Sequence, residues 1–349
     1  MGESALLDVL YGRGPSRRPI WFMRQAGRYL PEYKELRAKA GSFLELCYDP
    51  VFAAEVTVQP LRRFDLDAAI LFADILVVPH AMGLGLRFAE GEGPILETVT
   101  DSSGVRSLKE VARSDQVVAV CGTVMKVRDQ LPKSVALIGF CGGPWTVASY
   151  IVEGGSSDRN RARLAAYNQL PWFDALIEKL IEQSVVYLGA QIEAGAQAVQ
   201  IFDSWAGELC GVARERYVVR PLRKMMGELR QRYPSVPVIV FARGLGMDHG
   251  RIAELGGVSA VGVEAETSLR LLADVVPEGV ALQGNLDPVA LLADDDGLLR
   301  EVEVVVRSVA KRRHIFNLGH GIRQETDLRK VAAVVDAVRK FDESRAGDG

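Results

Sequence analysis

The sequence predicts an α/β fold, a closed (β/α)8 TIM barrel that forms a single domain over residues 1–349. Eight short apolar runs recur along the chain, stretches with helical periodicity separate them, and no Pro-, Ser- or Gly-rich tract divides the chain. Near-continuous apolar strands that alternate with amphipathic helices are typical of a parallel sheet covered by helices. Eight such units are the number that closes a barrel.

The predicted strands are spread along the whole chain. In order they cover Pro19–Met23, Ala68–Ala73, Val135–Phe140, Ala198–Phe202, Val236–Ala242, Ala260–Val263, Ala281–Gln283 and His314–Leu318. Between two of them, Phe173–Gly195 places its apolar residues on one stripe and ends at a glycine suited to the C′ position of a helix. A doubly wound open sheet is the competing fold, but it usually carries a Gly-x-Gly-x-x-Gly turn after its first strand, which this chain lacks.

The composition is that of a globular protein without a basic surface. The chain is 48% hydrophobic and 25% charged, and its formal net charge is -3. This charge argues against nucleic acid or an anionic membrane as a partner, because both need basic faces. The longest apolar stretch, Ala68–Leu86, contains Asp74, Pro79 and His80, which are costly in lipid, so we expect no membrane span.

Targeting and metal-binding patterns are also missing from the sequence. The first ten residues, MGESALLDVL, lack the basic segment and long apolar core of a secretory signal. The four cysteines form no Cys-x-x-Cys pair, and the four histidines show no metal-ligand spacing. We therefore expect reduced, mostly buried thiols, a cytoplasmic location, and neither disulfides nor structural zinc.

Two arginines four residues apart follow the first apolar run. Arg24 and Arg28 lie where Gly27 interrupts the pattern and Pro31 prevents a helix from continuing. Such a pair is often solvated at a surface, but an apolar strand and rigid flanks favour a clamp that binds carboxylates in bidentate fashion. We interpret the pair as a carboxylate-binding site.

Polar side chains follow most of the other apolar runs, and barrel enzymes carry their chemistry at that end of the strands. They are Asp74 after the second run, Gly142–Thr146 and Tyr150 after the third, Asp203 and Ser204 after the fourth, Asn285 and Asp287 after the seventh, and His320 after the eighth. Asp74 stands in apolar company. It either forms an ion pair with an arginine, or it accepts N–H donors of a ligand and stabilises a cationic intermediate.

The remaining candidates also have plain structural interpretations. Tyr150 alone is typical of a packed core ring, Ser204 of a helix N-cap, and His320 of a buried histidine with satisfied ring nitrogens. Collected in one barrel mouth, these residues instead provide groups for anions, for N–H donors and for hydrogen bonds, with no metal. Such a pocket suits a large, polycarboxylated ligand that contains nitrogen.

Several motifs resemble those of a known family. PIWFMRQAGRYLPEY (Pro19–Tyr33) and GFCGGPWTVASYIVEG (Gly139–Gly154) are similar to motifs of the uroporphyrinogen decarboxylase family. Shorter motifs support the resemblance, namely ILFADILVVPHAMG (Ile70–Gly83), QIFDSWAG (Gln200–Gly207), LQGNLDP (Leu282–Pro288) and FNLGHG (Phe316–Gly321). The resemblance runs over roughly residues 5–340, and such a set does not arise by chance.

The resemblance implies a (β/α)8 barrel that forms a homodimer. It also implies an enzyme that converts uroporphyrinogen III to coproporphyrinogen III in haem biosynthesis, by removing the carboxyl groups of four acetate side chains without cofactor or metal. An acetate on a pyrrole loses carbon dioxide when protonation of the ring carbon supplies a cationic electron sink, which a nearby carboxylate can stabilise.

The family's substrate-binding and catalytic residues transfer through the shared motifs. Arg24 and Arg28 would bind substrate carboxylates, and the backbone of Gln25, Ala26 and Gly27 would line the site. Arg28 is also the candidate proton donor, although the high pKa of a guanidinium makes it a poor acid.

The other transferred residues surround the macrocycle. Asp74 would accept the pyrrole N–H groups and stabilise positive charge on the ring. Tyr150, Ser204 and His320 would contact acetates and propionates, and of these Tyr150 and His320 are candidate catalytic residues.

Two segments depart from the family pattern. After Gly-His-Gly-Ile the family usually continues Leu-Pro-Glu-Thr, where this chain has Arg323-Gln324-Glu325-Thr326. The sixth strand ends in Glu264-Ala265, where Asp-Trp is common. We expect the first departure to loosen the loop beside His320 and the second to alter a wall of the cleft.

Two other functions compete with the decarboxylase. A related barrel methyltransferase would need a zinc-activated thiol, generally from a His-x-Cys pair, and the sequence has no such pair. A non-catalytic tetrapyrrole-binding protein would be expected to have lost Asp74 or the arginines, and all of them are present.

Overall fold

A parallel sheet curls into the predicted barrel in the computed structural model, which describes residues 4–15, 17–89 and 93–347. The strands of this sheet, in spatial order, are β1 (Ala68–Ile70), β4 (Ala136–Gly142), β5 (Ala198–Asp203), β6 (Val238–Ala242), β7 (Val258–Gly262), β8 (Ala281–Gln283) and β9 (His314–Ile315). A separate antiparallel hairpin pairs β2 (Leu86–Ala89) with β3 (Gly93–Leu96).

Helices lie between the strands and cover the sheet. They are α1 (Ala5–Leu10), α2 (Pro31–Lys39), α3 (Phe43–Tyr48), α4 (Pro50–Arg63), α5 (Val77–Ala81), α6 (Ser102–Ser107), α7 (Asp115–Gln130), α8 (Pro144–Glu153), α9 (Asn160–Tyr167), α10 (Pro171–Glu193), α11 (Gly211–Arg214), α12 (Arg220–Arg232), α13 (His249–Ala253), α14 (Leu269–Val275), α15 (Asp295–Ser308) and α16 (Leu328–Gly347). Gly195, with φ of 122°, follows the C-cap of α10 and confirms the predicted helix end. In the described part of the chain, no helix is long and apolar enough to cross a membrane.

The strands predicted for the second to the eighth apolar run are confirmed, with ends that differ by a few residues. Every residue of β4 and β5 is buried, as expected for strands covered on both faces. β1 ends at Ile70 and β9 at Ile315, each three residues before the predicted end. The hairpin β2–β3 escapes prediction because its short strands show too few alternations to be told from a loop.

The first apolar run, Pro19–Met23, does not form the predicted strand. Ile20 makes an isolated parallel bridge with Phe316, which follows β9. The amides of the last two residues of the run donate instead to side-chain oxygens of Gln25, at 3.0 Å, and Asn317, at 2.9 Å. Backbone hydrogen bonds join the run to Phe316, from the N–H of Trp21 at 3.3 Å and to the carbonyl of Pro19 at 2.8 Å. Side chains therefore replace the rest of the strand ladder at the eighth position of the barrel.

The carboxylate of Asp67 closes the ring between this run and β1. The N–H of Ile20 donates to Asp67 Oδ2 at 2.7 Å, and the N–H of Asp67 donates back to the Ile20 carbonyl at 2.8 Å. Arg17 and Arg339, the latter from α16, donate to the same carboxylate at 2.9 and 2.7 Å. Only 2% of the Asp67 side chain is exposed. These donors therefore offset most of the free energy needed to bury its charge.

We expect Asp67→Asn to lower the free energy of unfolding by about 3–5 kcal/mol, because it removes a buried charge from two arginines that remain in place. Urea denaturation measures the change. Asp65→Asn is the matched control: Asp65 pairs with the same two arginines but is 59% exposed, so its loss should stay below about 1 kcal/mol. Equal losses in the two variants would show that burial of Asp67 does not matter.

Candidate active site

Arg24 enters the barrel mouth from a strained backbone. Its φ of 61° lies in the left-handed region, which residues with a Cβ rarely adopt. Its side chain lies across Gly321, where an added Cβ would stand 2.3 Å from Arg24 Cδ. A glycine is therefore required at 321 for the arginine to keep this position, next to His320.

Gln25 supports the loop that carries Arg24. It is fully buried, its Oε1 accepts from the N–H of Phe22 at 3.0 Å, and its Nε2 donates to the carbonyl of Ala68 at 3.0 Å. Both polar groups of the Gln25 side chain thus form hydrogen bonds within the protein. The predicted role of Gln25, Ala26 and Gly27 in lining the site would fall to their backbone.

Asp74 follows β1 in irregular backbone and is half-buried. Its Oδ1 accepts from the N–H of Leu76 at 2.8 Å. Burial raises the pKa of Asp74, and the Leu76 amide and the charge of Arg24 only partly oppose that effect. Asp74 is therefore a desolvated carboxylate in the electrostatic range of Arg24, and it gains from further N–H donors or from a nearby positive charge.

Tyr150 is the seventh residue of α8 and is half-buried, as is Ser204 directly after β5. Burial raises the pKa of Tyr150, while the neighbouring Trp205 side chain lowers it. The charges of Asp74 and Arg24 also act on the Tyr150 hydroxyl. The phenol therefore stays protonated and lies within electrostatic range of these two residues.

Asp203, at the end of β5, organises the turn that carries Ser204. It is fully buried, and its Oδ1 accepts from the N–H of Thr146 at 3.0 Å and from the Thr146 hydroxyl at 2.5 Å. The same hydroxyl accepts from the N–H of Trp205 at 3.0 Å. Burial raises the pKa of Asp203 to about 6. The sequence marks this residue only by its position at a strand end, and its contacts indicate a structural role for the turn.

His320 follows β9 and is half-buried. Burial, together with the positive charges of Arg24 and Arg243, lowers the pKa of His320 to about 4. The imidazole is therefore neutral at physiological pH and offers hydrogen bonds rather than charge. The backbone behind it is tightly packed, since a Cβ on Gly319 would stand 2.2 Å from the nitrogen of Ala265.

Arg28 lies apart from this group. It is exposed and lines an open cavity of about 390 Å³ with Tyr33, Lys34, Arg37 and Gln324. Its charge acts on Tyr33, whereas the charge that acts on Asp74, Tyr150 and His320 is that of Arg24. The structure thus places Asp74, Tyr150 and His320 within electrostatic range of Arg24. It places Arg28 in a basic cavity with Lys34 and Arg37, two cations that the sequence analysis missed.

The departure at Glu264 builds a buried contact between a carboxylate and a histidine. Glu264 Oε2 lies 2.7 Å from Nε2 of the fully buried His249, and its Oε1 accepts from the Thr267 hydroxyl at 2.5 Å. Burial raises the pKa of Glu264, but these partners outweigh it and hold the pKa at about 2. Its carboxylate is therefore directed at His249. Gln324, from the other departure, lines the cavity of Arg28.

The family model for uroporphyrinogen decarboxylase (URO-D) matches residues 1–341. The chain belongs to the uroporphyrinogen decarboxylase family. A uroporphyrinogen decarboxylase from Novosphingobium aromaticivorans is 48% identical over 335 residues, which cover 96% of this chain and 98% of the relative. One from Paracoccus denitrificans is 45% identical over 341 residues, which cover 97% of this chain and 100% of the relative.

A solved structure of another protein shares this fold. A methyltransferase from Methanosarcina mazei superposes with a TM-score of 0.79 over 97% of this chain and 98% of its own, at 20% sequence identity. That identity shows a common fold only. Among the residues described here, no three His, Cys, Asp or Glu side chains form a group that could hold a metal ion.

We expect His320 to stay neutral between pH 6 and 8, because its pKa is about 4. Nitrogen-15 NMR of the imidazole measures its protonation directly. Arg24→Gln removes one of the two charges that lower this pKa, so it should move the pKa upward, toward its usual value of about 6.5. His314 is the internal control, because it is buried away from Arg24 and hydrogen-bonded to the Gly284 carbonyl. Titration of His320 near pH 6.5 in the wild type would contradict this description.

Proposed function

We propose that this protein catalyses the decarboxylation of the four acetate side chains of uroporphyrinogen III, giving coproporphyrinogen III in haem biosynthesis, without cofactor or metal. The observation that carries the proposal is a desolvated carboxylate, Asp74, within electrostatic range of Arg24, whose charge also reaches Tyr150 and a neutral His320. Membership of the family along nearly the whole chain supports the same reaction. The substrate has carboxylates at its rim and N–H donors at its centre, and the cleft offers complementary groups.

Asp74 is suited to the centre of the macrocycle. With the Leu76 amide at its Oδ1, the carboxylate retains capacity to accept the inward-pointing pyrrole N–H groups. Because burial has already removed much of its hydration, a cationic pyrrole gains more from this charge than it would from a solvated one. The same burial raises the pKa of Asp74 in the free protein, because it disfavours the charged form of the carboxyl group.

The reaction needs only proton transfers and one bond cleavage. Protonation of the ring carbon beside an acetate produces a cationic ring, which Asp74 stabilises. The bond to the carboxyl carbon then breaks, its electron pair moves into the ring, and carbon dioxide leaves. The exocyclic methylene that remains takes up a proton and the ring carbon loses one, which leaves a methyl group. Arg24, Tyr150, Ser204 and His320 hold the acetates and propionates in place.

Arg28 is the proposed proton donor for the first step. It is exposed, in the basic cavity with Lys34 and Arg37, so it meets an acetate where the macrocycle extends into that cavity. A guanidinium is a weak acid, so Arg28 would have to lie directly beside the ring carbon to donate its proton.

We further propose that the protein acts as a cytoplasmic homodimer of one-domain subunits spanning residues 1–349, with no nucleic-acid or membrane partner. The family resemblance supports the dimer. The formal net charge of -3 supports the absence of nucleic-acid and anionic-membrane partners.

We expect purified protein to convert uroporphyrinogen III anaerobically to coproporphyrinogen III, through products with seven, six and five carboxyl groups that chromatography separates. Asp74→Asn should lower kcat at least about a hundredfold, because the cationic intermediate loses its counter-charge. Asp274→Asn, at an exposed carboxylate on α14, is the matched control and should keep wild-type activity.

A stability measurement separates lost chemistry from lost folding. The raised pKa of Asp74 makes its charged form unfavourable in the folded protein, so Asp74→Asn should unfold at a higher temperature than the wild type at pH 7–8. The gain should shrink as the pH falls through the raised pKa. A wild type that binds the macrocycle but releases no carbon dioxide would overturn the proposal in favour of a non-catalytic tetrapyrrole-binding protein.

A further inference from the structure

Arg243 is a third arginine at the barrel mouth, and its backbone is fixed. It follows β6 directly, its N–H donates to the carbonyl of Asp203 at 3.1 Å, and its carbonyl accepts from the N–H of Gly207 at 2.9 Å. The next residue, Gly244, touches Gly207 so closely that a Cβ on Gly207 would stand 2.4 Å from its carbonyl oxygen. The side chain of Arg243 therefore starts from a rigid point between the turns that follow β5 and β6.

The guanidinium of Arg243 has only a weak partner in the described part of the chain. Its Nη2 lies 3.7 Å from Oε1 of Glu266, beyond hydrogen-bond distance, and the Glu266 side chain is 70% exposed. An exposed ion pair of this length contributes little. The Arg243 side chain itself is 30% exposed, so the N–H groups of its guanidinium are partly accessible to a ligand.

Arg243 faces the same part of the mouth as His320. Glu266 belongs to the turn after β7, and the neighbouring Ala265 packs against Gly319, the residue before His320. The charge of Arg243 also reaches the imidazole, whose pKa it lowers. Since His320 is neutral, this side of the mouth takes its positive charge from Arg24 and Arg243.

We propose that Arg243 binds a propionate carboxylate of the macrocycle at the rim between β6 and β7, exchanging its long contact with Glu266 for a bidentate pair. The inference rests on the proposed function. A propionate fits this rim because all four propionates remain intact through the four decarboxylations, so a carboxylate stays available to Arg243 at every stage. Arg243 is then a specificity-determining residue that contacts substrate without taking part in bond cleavage.

The test compares Arg243→Gln with Arg243→Lys and measures kcat and KM for uroporphyrinogen III and for the pentacarboxyl intermediate. Arg243→Gln should raise KM at least about tenfold for both substrates and leave kcat within about twofold, because a lost bidentate pair to a retained propionate weakens binding at every stage. Arg243→Lys should recover part of the loss. The KM of the wild type should also rise more steeply with salt than that of Arg243→Gln.

Glu266→Gln tests the same contact without changing Arg243, so it gives a result even if the Arg243 variants fold poorly. It removes the competing carboxylate while leaving the arginine in place, so it should lower KM by about twofold. An unchanged KM in Arg243→Gln, or the same increase in Glu266→Gln, would overturn the proposal. An effect on uroporphyrinogen III alone would overturn the propionate assignment, because it would place an acetate at Arg243.

Binding of coproporphyrinogen III distinguishes failure of this inference from failure of the proposed function. Tryptophan fluorescence under anaerobic conditions reports that binding without turnover. If the wild type is inactive but binds coproporphyrinogen III more tightly than Arg243→Gln does, the rim contact is supported and the proposed decarboxylase activity is rejected. Equal binding by the two proteins, with an active wild type, would reject the rim contact alone.

Discussion

The buried carboxylate of Asp67 is the interaction on which the rest of the structure depends. It replaces a strand carbonyl as the partner of the Ile20 amide and is neutralised by Arg17 and Arg339, so the barrel closes through a side chain instead of a regular eighth strand. This closure leaves the chain free to turn immediately afterwards. Arg24 consequently enters the mouth four residues beyond Ile20, from a backbone conformation that a continuing strand could not supply.

The mouth of the barrel contains a desolvated carboxylate and several arginines. Asp74 lies in the cleft, where burial raises its pKa, while Arg24 and Arg28 are exposed and Arg243 is partly so. A neutral His320 between two of these arginines avoids a third positive charge. This arrangement is complementary to a ligand with N–H donors at its centre and carboxylates around its rim, and it makes a cationic pyrrole favourable where Asp74 lies.

The sequence predicts those structural features that depend on a local pattern of residues. Seven of the eight predicted runs lie on strands because a parallel strand needs an apolar run, and Asp74 stands out as a lone charge in such a run. The first run fails because the amides of Ile20, Phe22 and Met23 bond to side chains, which no periodicity reveals. Contacts between residues far apart in the chain are equally hidden in the sequence, so the Glu264–His249 contact and the neutral state of His320 emerge only from the fold.

The most direct test of the central claim is a crystal structure of the protein with coproporphyrinogen III bound under anaerobic conditions. The account predicts the pyrrole nitrogens within about 3 Å of the Asp74 carboxylate, with propionates on the arginines of the rim. A macrocycle bound instead in the basic cavity of Arg28, Lys34 and Arg37, with its nitrogens turned away from Asp74, would contradict it.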